Sequence, residues 1–199
     1  MRRRTRIPWL LPAARNCLSL SYHNEPDLPM GIRAKLFAAF FAIACFGSIP
    51  LRAENPVKEK QDRFSLAVEC IKRFEGWHSS WHYPYVGWGH CLQPGEKYSA
   101  HTMTRQQADE LLRKDLRRFC AMFRQFGKDS LLLATLAYNV GPYRLLGNKK
   151  IPKSTLVRKL EAGDRNIYKE YISFRCYKGK VVPSIERRRK VEFELLYIL

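Results

Sequence analysis

The pattern of this chain predicts an α+β fold that is mostly helical, with a single β excursion. Two observations carry that expectation. Apolar residues recur at helical spacing along most of the C-terminal three quarters, and one stretch, 77–98, breaks the pattern with aromatics, glycines and two prolines. At 199 residues and 46% hydrophobic, the chain has the composition of one globular domain. It carries no internal repeat and no low-complexity tract.

Phe64, Ala67, Val68, Ile71 and Phe74 define a first helix over 57–74, after Pro56, which Gly76 ends. Short strands and turns follow, including Pro94-Gly95. Thr104 with Gln107 forms a capping-box pattern for a helix carrying Ala108, Leu111, Leu112, Asp115, Leu116, Phe119, Cys120 and Phe123. Asp129 is placed to cap the next helix, 130–140. That segment is apolar on nearly every side and reads as the central buried helix, stopped by Gly141-Pro142. Ser154 caps a helix over 155–162 that Gly163 closes, and a further helix carries Ile167, Tyr168, Tyr171, Ile172 and Phe174. After Lys178-Gly179-Lys180, Ser184 opens the last helix, with Ile185, Arg188, Val191, Glu192 and Leu195 on neighbouring turns.

The first quarter has a different character. Arg33 and Lys35 precede an apolar run over 36–46 and a short tail ending Leu51-Arg52-Ala53. This is the layout of a signal peptide, and the run is too short for a transmembrane helix, which needs about 20 residues. Lipid attachment at Cys45 is a weaker alternative, because Ala42-Ile43-Ala44-Cys45 is a poor lipoprotein box. Met30 is the preferred initiator, which makes 1–29 an upstream extension, 30–53 the signal peptide and 54–199 the functional domain. The expected location is exported, periplasmic or secreted.

Removing residues 1–53 takes away eight of the 36 Lys/Arg and two of the 18 Asp/Glu, leaving a net charge of +12. So basic an exported domain seeks an anionic surface, such as cell-wall polymer. Export and the lack of a zinc-finger or RNP pattern weigh against a specific nucleic acid. Cys70, Cys91, Cys120 and Cys176 remain, open to three pairings or to none. Their spacing is not that of a metal site, and neither a metal nor a cofactor is expected.

The candidate chemistry lies at Glu75, a carboxylate closing an amphipathic helix just before Tyr83-Pro84-Tyr85-Val86-Gly87-Trp88-Gly89-His90. The order Phe74-Glu75-Gly76, Gly87-x-Gly89-His90, Ala137-Tyr138-Asn139-Val140-Gly141, Ser154-Thr155-Leu156 with Ala162-Gly163-Asp164, then Ile185-x-x-Arg188-Arg189-x-x-Glu192-x-x-Leu195 resembles the phage-type lysozymes, glycoside hydrolase family 24. The resemblance covers 56–196. It implies a small β-hairpin lobe and a helical lobe with a cleft between them, and a monomer acting on peptidoglycan. Its activity would be cleavage of the β-1,4 bond between N-acetylmuramic acid and N-acetylglucosamine.

The resemblance makes Glu75 the general acid, paired with Arg187 or Arg188, and puts Asn139 in the cleft, either binding an N-acetyl group or capping its helix. One departure stands out. The family places an Asp about nine residues beyond the Glu and a Thr shortly after it; here those places hold Pro84 and Tyr85, and no Asp or Glu occurs between Glu75 and Glu96. Three readings stay open: His78, His82, Tyr85 or His90 activates water, a lytic transglycosylase works with Glu75 alone, or an inactive chain only binds wall. His90 is equally well a structural histidine. Trp77, Trp81, Tyr83, Tyr85 and Trp88 stack on sugars or fill the small lobe; of these Trp88 is taken as the substrate contact. Gly87 and Gly89 serve tight backbone geometry.

Overall fold

The computed structural model describes residues 56–199. The expected signal peptide and upstream extension lie outside the described residues. Helix α1, Pro56–Glu75, buries Ala67, Val68, Cys70 and Ile71, and Glu75 is its last residue. Gly76 follows at φ +66°, a left-handed conformation that ends the helix while its N–H closes on the Lys72 carbonyl at 3.1 Å. The small lobe comes next: a 3₁₀ turn, Ser80–His82, then strands β1, Tyr85–Val86, and β2, His90–Cys91. The strands pair antiparallel with Tyr85 opposite Cys91 and Val86 opposite His90, and a bridge joins His78 to Gly87.

Helix α2, Arg105–Met122, links the two lobes. Its capping box closes in both directions, Thr104 N–H to Gln107 at 2.9 Å and Gln107 N–H to the Thr104 hydroxyl at 3.1 Å. Ala108 and Leu111 pack with Val86 and Met103 in the small lobe, while Leu112 and Leu116 enter the main core. Gly87 makes the close approach possible. A Cβ there would fall 2.6 Å from that of Ala108 and 2.8 Å from Met103 Sδ, at a φ of +59°.

Helix α3, Ser130–Val140, is the central helix, with Leu132 to Ala137 all buried. Each buried leucine contributes roughly 1.5–3 kcal/mol of hydrophobic stabilisation. The short helices α4, Tyr143–Leu146, α5, Thr155–Glu161, and α6, Tyr168–Ile172, lead to a second hairpin, β3 Cys176–Tyr177 and β4 Lys180–Val181. Helix α7, Pro183–Leu196, closes the fold against α1, α3 and α6.

Several expectations need correction. Asp129 does not cap α3, because Arg165 takes both its oxygens, at 2.8 and 2.9 Å. The last helix begins at Pro183, whose fixed φ suits a first helical position, and not at Ser184. There are two β excursions among the described residues, since Lys178 and Gly179 both take positive φ and turn the second hairpin. The four described cysteines are free thiols. Burial pushes Cys70 and Cys120 up to about 11, which keeps them protonated and inert at neutral pH. No helix among the described residues is long and apolar enough to cross a membrane.

Candidate active site

Four elements meet at Glu75. It projects from the end of α1 with its side chain only 6% exposed, and its Oε1 accepts Arg188 Nη1 at 2.8 Å and Asn139 Nδ2 at 3.3 Å. Across from it runs the small lobe. A Cβ on Gly89 would sit 3.4 Å from Glu75 Oε2, so at φ +90° this glycine lets the hairpin backbone itself form the facing wall.

Behind Glu75 lies a buried circuit of charge. Arg188, 6% exposed at its side chain, also donates Nε to Glu192 Oε1 at 2.7 Å. Glu192 is completely buried and binds Arg189 and the Tyr171 hydroxyl, the latter at 2.9 Å. Arg189 reaches on to the Asn139 carbonyl oxygen and to the Phe174 carbonyl at 3.2 Å. Asn139 then returns to Glu75. Two carboxylates and two guanidiniums thus close into a neutral ring, which is what burying four charges requires.

The electrostatics follow from that closure. Burial alone would lower the pKa of Arg188, but the Glu75 and Glu192 carboxylates raise it above its ordinary value. Burial alone would raise Glu192, and the Arg189 and Arg188 charges reverse this and hold it below the usual carboxylate range. Burial and the Glu192 charge both push the Tyr171 hydroxyl up, so it stays a donor.

A separate pair of carboxylates grips His90. Its Nδ1 lies 2.5 Å from Asp115 and its Nε2 2.8 Å from Glu96, while Arg118 approaches the other Asp115 oxygen at 3.3 Å. Burial opposes the charged imidazole, but the Asp115 and Glu96 partners win and raise its pKa above the ordinary 6.5. A group raised in the folded state stabilises fully below its unfolded pKa and loses that contribution as pH climbs through the raised value. The melting temperature is therefore expected to fall with rising pH from about 6.5 upward. His90→Gln should flatten this limb and cost about 1.5–3 kcal/mol at pH 6. Matching pH profiles for the two proteins would argue against the assignment.

Residues 72–192 match a family model described as phage lysozyme, over half of the chain. This protein belongs to the phage lysozyme family. A search of curated proteins gives no match. The matched region starts in the last turn of α1, three residues before Glu75, and ends at Glu192, so it spans the whole buried circuit.

Set against this lysozyme-family site, the residues named from sequence fall into three groups. Glu75 and Arg188 meet as expected, and Arg187 does not take part in that pair; it sits on the exposed side of α7. Asn139 bridges Glu75 and Arg189 through its amide, Nδ2 donating to the first and Oδ1 accepting from the second.

Trp88 is half-buried at the junction of the lobes, edge-on to Trp77 at 5.1 Å, with the Arg105 guanidinium and Lys72 ammonium near its ring at 4.8 and 5.3 Å, and its carbonyl accepts the Tyr138 hydroxyl at 3.0 Å. Held this way, the ring helps to pack the lobes together while staying partly exposed. Tyr85 is buried in β1 with its ring 6.0 Å from His78. His90 has both ring nitrogens engaged by carboxylates, which suits a structural histidine.

Arg189, Tyr171, Asp115 and Glu96 were not singled out as site residues by sequence. Two signals for them exist there. Asp115 interrupts the apolar stripe of α2, and Arg189 shares with Arg188 the spacing that brings both onto Glu192 one turn later.

Proposed function

We propose that this phage-lysozyme-family protein is an exported muramidase of the glycoside hydrolase family 24 type, with 54–199 as its catalytic domain. It hydrolyses the β-1,4 bond between N-acetylmuramic acid and N-acetylglucosamine, and Glu75 is its general acid. The observation that carries this reading is the buried Glu75 at the junction of the hairpin and the helical lobe, bound on one oxygen by Arg188 and Asn139. Glycosidic cleavage needs a proton on the departing oxygen. Donating it leaves Glu75 ionised, and Arg188 is already in place to receive that charge. While Glu75 is protonated, Glu192 stays bonded to both Arg188 and Arg189, leaving one guanidinium in excess, and release of the proton restores the balance of charge.

No carboxylate stands in sequence between Glu75 and Glu96, and Glu96 is held by His90 and by the Gln93 N–H at 2.8 Å. Water activation in this reading falls to an imidazole. His82 is poorly suited: its Nδ1 accepts the Ser79 N–H at 2.9 Å, which puts the proton of the neutral ring on Nε2 and makes that nitrogen a donor. His78 suits better. Its Nδ1 is buried and, unlike that of His82, has no hydrogen-bond partner among the described residues, and burial lowers its pKa against the opposing pull of the Glu75 carboxylate, which favours the neutral ring.

The lone Glu75 also favours a second reading, a lytic transglycosylase in which the sugar's own hydroxyl closes an anhydro ring. Mass analysis of digested peptidoglycan separates the two. Ordinary reducing muramic ends, with turnover sharply reduced by His78→Ala and far less by His82→Ala, are the expected result. Anhydro ends would move the protein to the transglycosylase reading, and no products from a folded chain would leave a wall-binding protein.

A further inference from the structure

Trp81 and Tyr83 take no part in the contacts around Glu75 or His90 described above. They are 91% and 77% exposed, the two most exposed aromatics among the described residues, in a protein whose other described tryptophans, Trp77 and Trp88, pack against each other and against Arg105. Burying such rings in water-excluding contact is worth far more than leaving them wet. The backbone beneath them is held firmly. His82 N–H closes on Ser79 O at 3.0 Å, Tyr83 N–H on Ser80 O at 3.3 Å, His78 N–H on Gly87 O at 2.8 Å and Leu92 N–H on Pro84 O at 2.9 Å. The two rings are thus presented from a fixed turn, with little loop ordering left to oppose binding.

We propose that Trp81 and Tyr83 form an accessory sugar platform that binds the glycan strand outside the scissile linkage. This inference rests on the proposed peptidoglycan reading. Three features select the occupant. First, the segment 76–84 contains no Lys, Arg, Asp or Glu; beside its exposed aromatics it offers the Ser79 and Ser80 hydroxyls. Flat apolar faces with hydroxyl groups match an uncharged pyranose ring, whereas an anionic membrane surface selects clustered basic residues.

Second, the platform is close to Glu75 along the chain. Trp81 is six residues from Glu75, within about 20 Å even for extended backbone, so one polymer strand can lie across both. Third, two side chains on a turn supply far less than the roughly 800 Å² per partner of a stable protein interface. A repeating polymer overcomes that small area by engaging several weak sites at once.

The test uses the full chain carrying Glu75→Gln, so that wall is held without being digested. Its affinity for purified insoluble peptidoglycan is measured by co-sedimentation at about 0.5 M salt, where attraction by the basic surface is screened. Trp81→Ala with Tyr83→Ala is expected to weaken binding about tenfold, the loss typical of a central aromatic contact, with the melting temperature of the parent. Trp81→Phe should restore part of it. Equal affinity of the double variant and its parent overturns the platform, as does a matching loss of binding to anionic phospholipid vesicles or of a self-associated dimer. The chain with intact Glu75 is assayed for digestion in parallel. Digestion combined with an unchanged affinity for the double variant overturns the platform alone; a chain that neither binds nor digests wall overturns the peptidoglycan reading with it.

Discussion

Glu75→Gln is expected to reduce wall digestion by about 10²- to 10⁴-fold or more, the usual cost of losing a general acid. The substitution keeps the shape of the side chain, and its amide oxygen can still accept from Arg188. What it removes is the proton available to the leaving oxygen and the charge that balances Arg188. Stripping one partner from a buried ion pair typically costs about 3–5 kcal/mol. The cost here should be smaller, because Arg188 keeps its 2.7 Å bond to Glu192. Activity is therefore compared well below the melting temperature of the variant.

Glu75→Asp is the sharper companion, since it keeps a carboxyl but withdraws it by one methylene. Displacement of a catalytic group by about 1 Å costs on the order of 10²-fold, so the aspartate should be nearly as damaged as the glutamine. Full activity in a folded Glu75→Gln protein would remove Glu75 from the mechanism.

The helices were legible wherever a local rule and a tertiary demand agreed. Thr104 and Gln107 write their capping box in the sequence, and 130–140 is apolar enough that only a central position can satisfy it. Ser154 likewise caps as expected, accepting the Val157 N–H at 3.2 Å. Asp129 fails the same test because a distant residue, Arg165, competes for its carboxylate, and spacing along one helix contains no information about that partner. The second hairpin escaped because Lys178 adopts a positive φ, which a lysine rarely does.

The site divides in the same way. Glu75 could be found because a helix-end acid before a glycine-rich hairpin is a local pattern. The run Glu186-Arg187-Arg188-Arg189-Lys190 looks like one solvated face, yet α7 buries two of its members and leaves Arg187 and Lys190 exposed. The buried face is 185, 188, 189, 192 and 196, a regular helical stripe whose middle is charged. A pattern search that scores only apolar residues passes over it. Trp88 lies at the seam between the lobes with Arg105 over its ring, a tertiary placement that no local pattern announces, and the most exposed rings are Trp81 and Tyr83.

That charged stripe makes Glu192 the residue whose loss should cost the fold most. Glu192→Ala removes the common partner of Arg188, Arg189 and the Tyr171 hydroxyl from a completely buried position. Arg189 would keep only the Asn139 and Phe174 oxygens, and two guanidiniums would face one carboxylate, Glu75, in the interior. An uncompensated buried charge costs about 3–5 kcal/mol, a large part of the 5–15 kcal/mol that holds a domain folded. The melting midpoint should drop by about 6–20 °C. Arg187→Ala, on the exposed side of the same helix, should leave it within a degree or two.

Glu192→Gln separates charge from shape, and pH supplies the check. A carboxylate held below its ordinary pKa contributes stability above the unfolded value, about 4.3, and loses it as pH falls through the depressed folded value. The parent should therefore lose stability below about pH 4 in part through Glu192, and Glu192→Gln should be less stable at neutral pH but lose less on acidification. An alanine variant that melts with its parent would mean the ring of charge does not hold α7 against α1 and α3, and Glu75 would then owe its position to Gly76 and the end of α1 alone.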